Sequence, residues 1–280
     1  MSWLGKARFR LSGLLVDRFL SFDTAEFART LSEMGISKGD VLMVHSSLHA
    51  HSGYRDKPVD MIAALKKAVG PEGLLVMPSM TYADSSKAFL LRREAMKVRY
   101  SPSRMGLLTE VFRRGKGVRR SLSPTHPLLA WGDRAAMFLA GHNKTDRAFG
   151  PESPFRRLLD LDGKILCLGT IPETVTFTHF LEDRIAGRLP FPLYDSDLYV
   201  GTVVDEDGQS YSVPTLVLSD ESRHRRCENL LWKEAKAKGL IRKKRVGNTT
   251  LMLMTCRDLA ELFDDLYATA GGTFGNSGAQ

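Results

Sequence analysis

Apolar positions along the chain alternate between short continuous runs and helix-spaced stripes. Val41-Leu42-Met43-Val44 is one run, entered from Gly39-Asp40; Leu74–Met77 is a second, stopped by Pro78; Lys164-Ile165-Leu166-Cys167-Leu168-Gly169 is a third. Runs of this length with turn residues at their ends predict strands buried on both faces. The intervening spacing is helical. Asp23 and Glu26 make a capping-box pair ahead of Phe27 and Leu31, predicting a helix that stops near Gly35. Pro58 suits a first helical turn, and Met61, Ile62, Leu65 and Val69 form a stripe that ends at Gly70. In Thr174–Ala186, Phe177, Phe180, Leu181 and Ile185 share another stripe. Strand, helix and strand in this order predict an α/β fold with a layered sheet-and-helix core.

The pattern changes after Pro190. Leu198–Val204 and Tyr211–Leu216 flank the turn Asp205-Glu206-Asp207-Gly208, a hairpin signal. A helix over Glu228–Lys238, a strand Leu251–Thr255 and a helix from Asp258 to Tyr267 follow, and Gly271–Gln280 reads as a frayed tail. Residues 190–256 are therefore expected to form a smaller β-rich lobe in the C-terminal third, set within one domain over residues 1–280. No internal repeat or low-complexity linker interrupts it.

Composition narrows the class. Hydrophobic residues at 43% and charged residues at 26% are ordinary for a folded soluble protein. No apolar stretch approaches the ~20 residues of a membrane helix. The basic start Met1–Arg10 lacks a secretion core, since Asp17 and Arg18 break the apolar patch after it; it reads as a docked helix rather than a membrane-surface one. Cys167, Cys227 and Cys256 are odd in number and far apart, which fits a reducing cytoplasm rather than a disulfide framework. Cys227 lies beside Arg223, His224, Arg225 and Arg226, which would activate it if exposed, although a catalytic thiol there is disfavoured. The net charge of +8 favours anionic partners: nucleic acid, acidic lipid or a phosphate-bearing ligand such as coenzyme A. The denser cationic run from Lys233 to Arg245 has no interleaved aromatics for base stacking, so nucleic acid is not expected.

Several chemistries lack their motif. Gly5-Lys6, Gly115-Lys116 and Gly163-Lys164 are not followed by Ser or Thr, so no phosphate-binding loop is present, and no GxGxxG opens a helix. HExxH, CxxC and GxSxG are absent; His45, His49 and His51 read as turn contacts, and no metal is expected. What stands out is His179 with Glu182 three residues later, off the apolar stripe of their helix. A carboxylate there fixes one imidazole nitrogen and leaves the other free as a base. That helix begins just past a buried strand, where open α/β folds bind ligands. His45-Ser46-Ser47 and Ser79-Met80-Thr81-Tyr82 also follow strands and converge on the same edge if those strands are parallel neighbours; capping and turn formation is the plainer use of such hydroxyls.

Taken together, these segments resemble the aminoglycoside 3-N-acetyltransferase family from about Gly35 to Asp258. Gly39-Asp40-Val41 through His45-Ser46-Ser47-Leu48, Gly73–Pro78, Arg120-Ser121-Leu122-Ser123-Pro124-Thr125-His126, Phe149-Gly150-Pro151-Glu152-Ser153-Pro154-Phe155 and Thr176-x-x-His179-x-x-Glu182 match five family blocks in order. The resemblance implies acetyl transfer from acetyl-coenzyme A to an amine of an aminoglycoside or related amino sugar, by direct attack in a ternary complex. It implies His179 as general base, Glu182 as its orienting carboxylate, and Ser46, Ser47 and Leu48 along the coenzyme's pantetheine and phosphates. Arg120 and Ser121 would be further coenzyme contacts, with Thr81 near the thioester. Members often carry His in place of Ser123 and Ser in place of Pro127, so a hydrogen bond of that block is expected to be lost or rerouted. The positive charge favours a neutral or acidic amino sugar, such as a glycan precursor, over a polycation. Transfer to a hydroxyl or of a longer acyl chain is the runner-up, and a basic binding protein without activity the alternative of another class. A homodimer is a candidate assembly.

Overall fold

The computed structural model describes residues 13–16, 18–49, 51–226 and 228–270. Cys227, the basic start Met1–Arg10 and the tail Gly271–Gln280 lie outside the described residues.

A seven-stranded sheet organises the chain. Its centre is three parallel strands, β1 (Val41–Ser46), β2 (Leu74–Pro78) and β6 (Lys164–Leu168), in the order β2-β1-β6. Antiparallel strands extend both sides: β5 (Leu128–Trp131) and β4 (Arg119–Arg120) beyond β2, β10 (Thr249–Thr255) and β9 (Arg242–Val246) beyond β6. The central strands are buried on both faces, and alternate residues serve two separate cores. Val41, Met43, Leu74, Val76, Ile165 and Cys167 join one apolar cluster; Leu42, Val44, Leu75, Met77, Leu166 and Leu168 join the other.

Helices cover each face. One cluster takes residues of α1 (Thr24–Glu33), α2 (Pro58–Val69) and α4 (Leu107–Arg113). The other takes α5 (Ala135–Leu139), α6 (Pro154–Asp160), α7 (Phe177–Arg184), α9 (Glu228–Ala237) and α10 (Cys256–Ala270). Two helix starts form as their sequences dictate. At α1 the Glu26 amide donates to the Asp23 carboxylate at 2.9 Å and the Asp23 amide to Glu26 at 3.2 Å, and at α2 Pro58 occupies the first turn. Cys167 and Cys256 are buried and unbridged, and burial pushes the Cys167 thiol up to about 12.

The smaller sheet pairs the hairpin β7 (Tyr199–Val204) and β8 (Ser210–Thr215) with β3 (Ala95–Lys97), the strand after the short helix α3 (Ser86–Leu91). Phe89, Met96, Val98, Val203 and Val213 form its own small core, with Tyr82 and Leu122 packed against it. Gly201 lets it close on the main body: a Cβ there would lie 2.5 Å from Pro124. The remainder of the stretch 190–256 divides differently from its expected boundaries. After α8 (Asp220–Arg225) and α9, β9 and β10 leave the small sheet and complete the large one, because Leu251 and Leu253 supply the apolar face that β6 needs beside it.

Candidate active site

Three strand ends converge on one edge. Ser46 pairs with Leu168 across β1 and β6, and the Ser47 amide donates to the Leu168 carbonyl at 2.9 Å. The chain leaves β6 through Gly169 at φ +66°, where a Cβ would sit 2.6 Å from the Ser47 carbonyl, so glycine is required for this approach. Above the edge is a cleft of about 270 Å³ lined by His45, Ser46, Met80, Arg104, Thr174 and Thr176, among others. The hydroxyls of Ser46 and Thr176 and the Nε2 of His45 are buried here without a hydrogen-bond partner, as are the hydroxyls of Ser79 and Thr81 in the loop after β2. Buried polar groups are ordinarily satisfied, so a row of unsatisfied ones at strand ends is the signature of a surface shaped for a polar ligand. Burial pulls the His45 imidazole down to about 4. Ser47 is exposed, and Leu48 packs against the core beneath the sheet.

The predicted helix over Thr174–Ala186 is broken into a 3₁₀ turn at Pro172–Thr174, the helix α7 and a second 3₁₀ turn at Ala186–Arg188. The break at Val175 is extended, which brings Thr176 to the cleft while Phe177, Phe180 and Leu181 stay in the core. His179 follows one turn later with its side chain 18% exposed, and its Nδ1 meets Glu182 Oε2 at 3.1 Å. Glu182 itself is 1% exposed and receives two bonds from Arg226, to Oε1 at 2.7 Å and to Oε2 at 2.5 Å. Burial works to raise this carboxyl, but His179 and Arg226 outweigh it and hold it below its ordinary value. An ionised Glu182 can accept a proton from Nδ1, and in that tautomer Nε2 carries the lone pair.

Around this pair is a wall that spacing alone does not reveal. The Phe149 ring lies 4.9 Å from His179 and 4.6 Å from His126, centroid to centroid. His126 Nε2 meets the Tyr82 hydroxyl at 3.3 Å and its Nδ1 meets Thr125 at 3.1 Å. Burial, then the imidazoles of His179 and His142, pull His126 down to about 3. Ser123 accepts from the His126 amide at 3.2 Å. Glu228 lies 3.6 Å from Arg226, and burial raises its carboxyl.

The two terminal nitrogens of Arg120 and the hydroxyl of Ser121 bond within the chain. Arg120, 6% exposed, donates to the Ser101 carbonyl at 2.6 Å and to the Ser79 carbonyl, tying the loop after β2 to that before α4. Ser121 accepts from the Leu128 amide at 2.9 Å and meets His142 Nδ1 at 2.8 Å. Among the described residues no group of three His, Cys, Asp or Glu is placed to hold a metal ion, and no helix is long and apolar enough to cross a membrane.

Comparison with known proteins bears on the same residues. The aminoglycoside N(3)-acetyltransferase VII of Streptomyces paromomycinus is 31% identical over 168 residues, which are 55% of this chain and 58% of that protein, so the match spans less than two thirds of the relative. The crystal structure of the aminoglycoside acetyltransferase AAC(3)-IVa apoenzyme is similar with a TM-score of 0.70 and 27% identity, over 92% of this chain and 93% of that one. A structure of AAC-IIIb, binary with CoASH, has the same fold with a TM-score of 0.72 at 22% identity, over 92% and 99% of the two chains. Residues 43–268, from the first strand into the last helix and including the His179–Glu182 pair, match the family model described as aminoglycoside 3-N-acetyltransferase, and the chain belongs to that family.

Proposed function

We propose that this chain transfers an acetyl group from acetyl-coenzyme A to an amine of an aminoglycoside or related amino sugar, with His179 as general base. The carrying observation is the buried, arginine-held carboxylate that fixes Nδ1 of a partly open imidazole. An acceptor ammonium has no lone pair, so a proton must leave before attack. His179 Nε2 takes that proton; the amine nitrogen bonds to the thioester carbonyl carbon, the carbon–sulfur bond breaks, and a second proton, from the acylated nitrogen, passes to the leaving thiolate. The partnerless hydroxyls of Ser46 and Thr81, with Thr176, suit the amide-rich pantetheine arm, and exposed Ser47 suits its outer portion. Leu48 anchors that loop to the core. Arg120 and Ser121 act in this reading as supports of the wall, because their bonds run to Ser79, Ser101 and His142. The AAC-IIIb fold neighbour binary with CoASH supports the choice of donor.

Release of free coenzyme A thiol with a panel of amino sugars tests the reaction. His179→Ala is expected to slow the chemical step by about 100-fold or more while coenzyme A affinity stays nearly intact; an unchanged rate rules out this base. Tight coenzyme binding without turnover of any amino sugar favours instead the basic binding protein.

A second reading concerns the acceptor. Glu182 and Glu228 share one internal cation, Arg226, and Asp183 faces Arg147 at 3.1 Å. Lys87 likewise takes Asp195 at 2.6 Å. With a net charge of +8 opposing the approach of a polycation, an amino sugar with one amine, neutral or acidic elsewhere, suits the chain better.

A further inference from the structure

A second cleft opens on the β4 edge of the sheet, on the far side of the wall that bounds the first. It has a volume of about 500 Å³ and is lined by Arg99, Tyr100, Arg113, Arg114, Arg119 and Arg120. It shares no lining residue with the cleft at Ser46. The partition is built from α4, whose Thr109 faces one cleft while Arg113 and Arg114, a turn further on, face the other. A strap completes it: the Arg104 amide donates to the Met80 carbonyl at 2.8 Å, and Arg120 holds Ser79 and Ser101 together.

The charges in this second cleft do not balance. Arg113 and Arg114 share a single carboxylate, Glu110, both through Nε at 2.7 Å. Arg99 and Arg119 are exposed and have no ion-pair partner among the described residues. Arg120 is buried with two of its donors on backbone carbonyls, its Nε without a partner and no carboxylate bonded to it. Five guanidinium groups thus line the cleft, with Glu110 shared by two of them and Glu206 at the rim, while Asp205 and Asp207 lie in the adjoining pocket that Arg119 and Arg120 also border. Burial first, then the neighbouring Arg113, pulls the Arg120 group down to about 9, with Glu110 opposing. Some surface arginines elsewhere pair with a carboxylate, as Arg156 with Asp160, Arg184 with Asp264 and Arg257 with Asp162, and others, such as Arg93 and Arg104, stand singly among the described residues. Concentrating unpaired ones in a concave site is a different arrangement, and guanidinium forks match phosphate oxygens two at a time.

We infer that this cleft is a second ligand site, taking a small molecule with two or three linked phosphates, separate from the coenzyme's thioester cleft. Tyr100, 71% exposed at its wall, offers a ring face to a nucleobase, so the phosphate chain belongs either to a nucleotide or to inorganic oligophosphate.

Calorimetry with tripolyphosphate, pyrophosphate and ADP on the whole chain tests this. One saturable site is expected for tripolyphosphate, weakening by roughly tenfold between about 50 and about 200 mM salt as screening grows. Arg99→Ala combined with Arg119→Ala is expected to weaken tripolyphosphate by about tenfold or more while coenzyme A affinity changes less than about twofold. ADP tighter than pyrophosphate, with the difference erased by Tyr100→Ala, identifies a nucleotide; equal affinities identify the bare phosphate chain, and both support the site. Absence of saturable binding overturns the inference. So does a coenzyme A affinity that falls in step with tripolyphosphate in the double variant, since these arginines would then hold the coenzyme's own phosphates. Neither result depends on whether the chain turns over an amino sugar.

Discussion

Both oxygens of Glu182 are engaged, and the arginine that engages them also faces Glu228. Removing a single partner from such a buried pair leaves a charge with no compensation. Arg226→Ala is expected to destabilise the fold by about 3–5 kcal/mol, measured by urea unfolding at neutral pH. It is also expected to lower kcat, because a Glu182 without its arginine binds a proton more readily and stops fixing Nδ1 of His179; Arg226→Lys should restore part of both. A stable, fully active Arg226→Ala protein would contradict this account of the site. His179 and Glu182 were legible in the sequence because one helical turn separates them. Arg226 was not, since nothing in the chain's spacing connects a run of arginines to a carboxylate 44 residues earlier. Tyr82 and His126 escaped for the same reason: their contact crosses 44 residues and two loops.

The short helix α4 carries a test of its own. Arg113 first, with burial opposing, and then the Ser103 amide and Arg114 hold the Glu110 carboxyl down to about 2. A depressed carboxylate contributes stability that is fully present above its unfolded value of about 4.3 and is lost as pH falls through the folded one. Chemical unfolding is therefore expected to show on the order of 2–3 kcal/mol lost between about pH 5 and about pH 2 from this group, a loss absent in Glu110→Gln. At neutral pH that variant should be less stable by a similar amount; equal pH dependence in both proteins would show that the helix does not rely on this carboxylate. Elements with strong punctuation, such as Asp23 with Glu26 or Pro58 with Gly70, were readable from the chain alone. The break inside Thr174–Ala186 was not, because its cause is tertiary: Thr176 must reach the cleft while the phenylalanines on either side of His179 stay buried. The partner of the 199–215 hairpin was equally hidden, since β3 is three residues long and a hundred positions upstream.

At the scale of the whole molecule the charge of +8 acts on every approaching ligand. For a polycationic acceptor the mean field is repulsive, and salt screens it. The KM for an antibiotic such as tobramycin is therefore expected to fall as ionic strength rises, while that for a neutral glucosamine derivative stays flat; a KM that rises with salt would reveal an acidic acceptor site and remove the case for a neutral one. The alternation of apolar residues into two cores made the layered architecture readable, but the strand order was not, because antiparallel neighbours at both margins carry no sequence mark of which strand they join.

That order has a consequence during synthesis. β1 ends at residue 46 and its neighbour β6 begins at residue 164, so the ribosome releases one flank of the innermost strand long before the segment that will cover it. Until then Leu42 and Val44 have only half their packing, and the Ser46 loop has nothing to lean on. A nascent chain arrested between these points should bind a trigger-factor-type chaperone and yield to protease, and both susceptibilities should fall once β6 has cleared the exit tunnel.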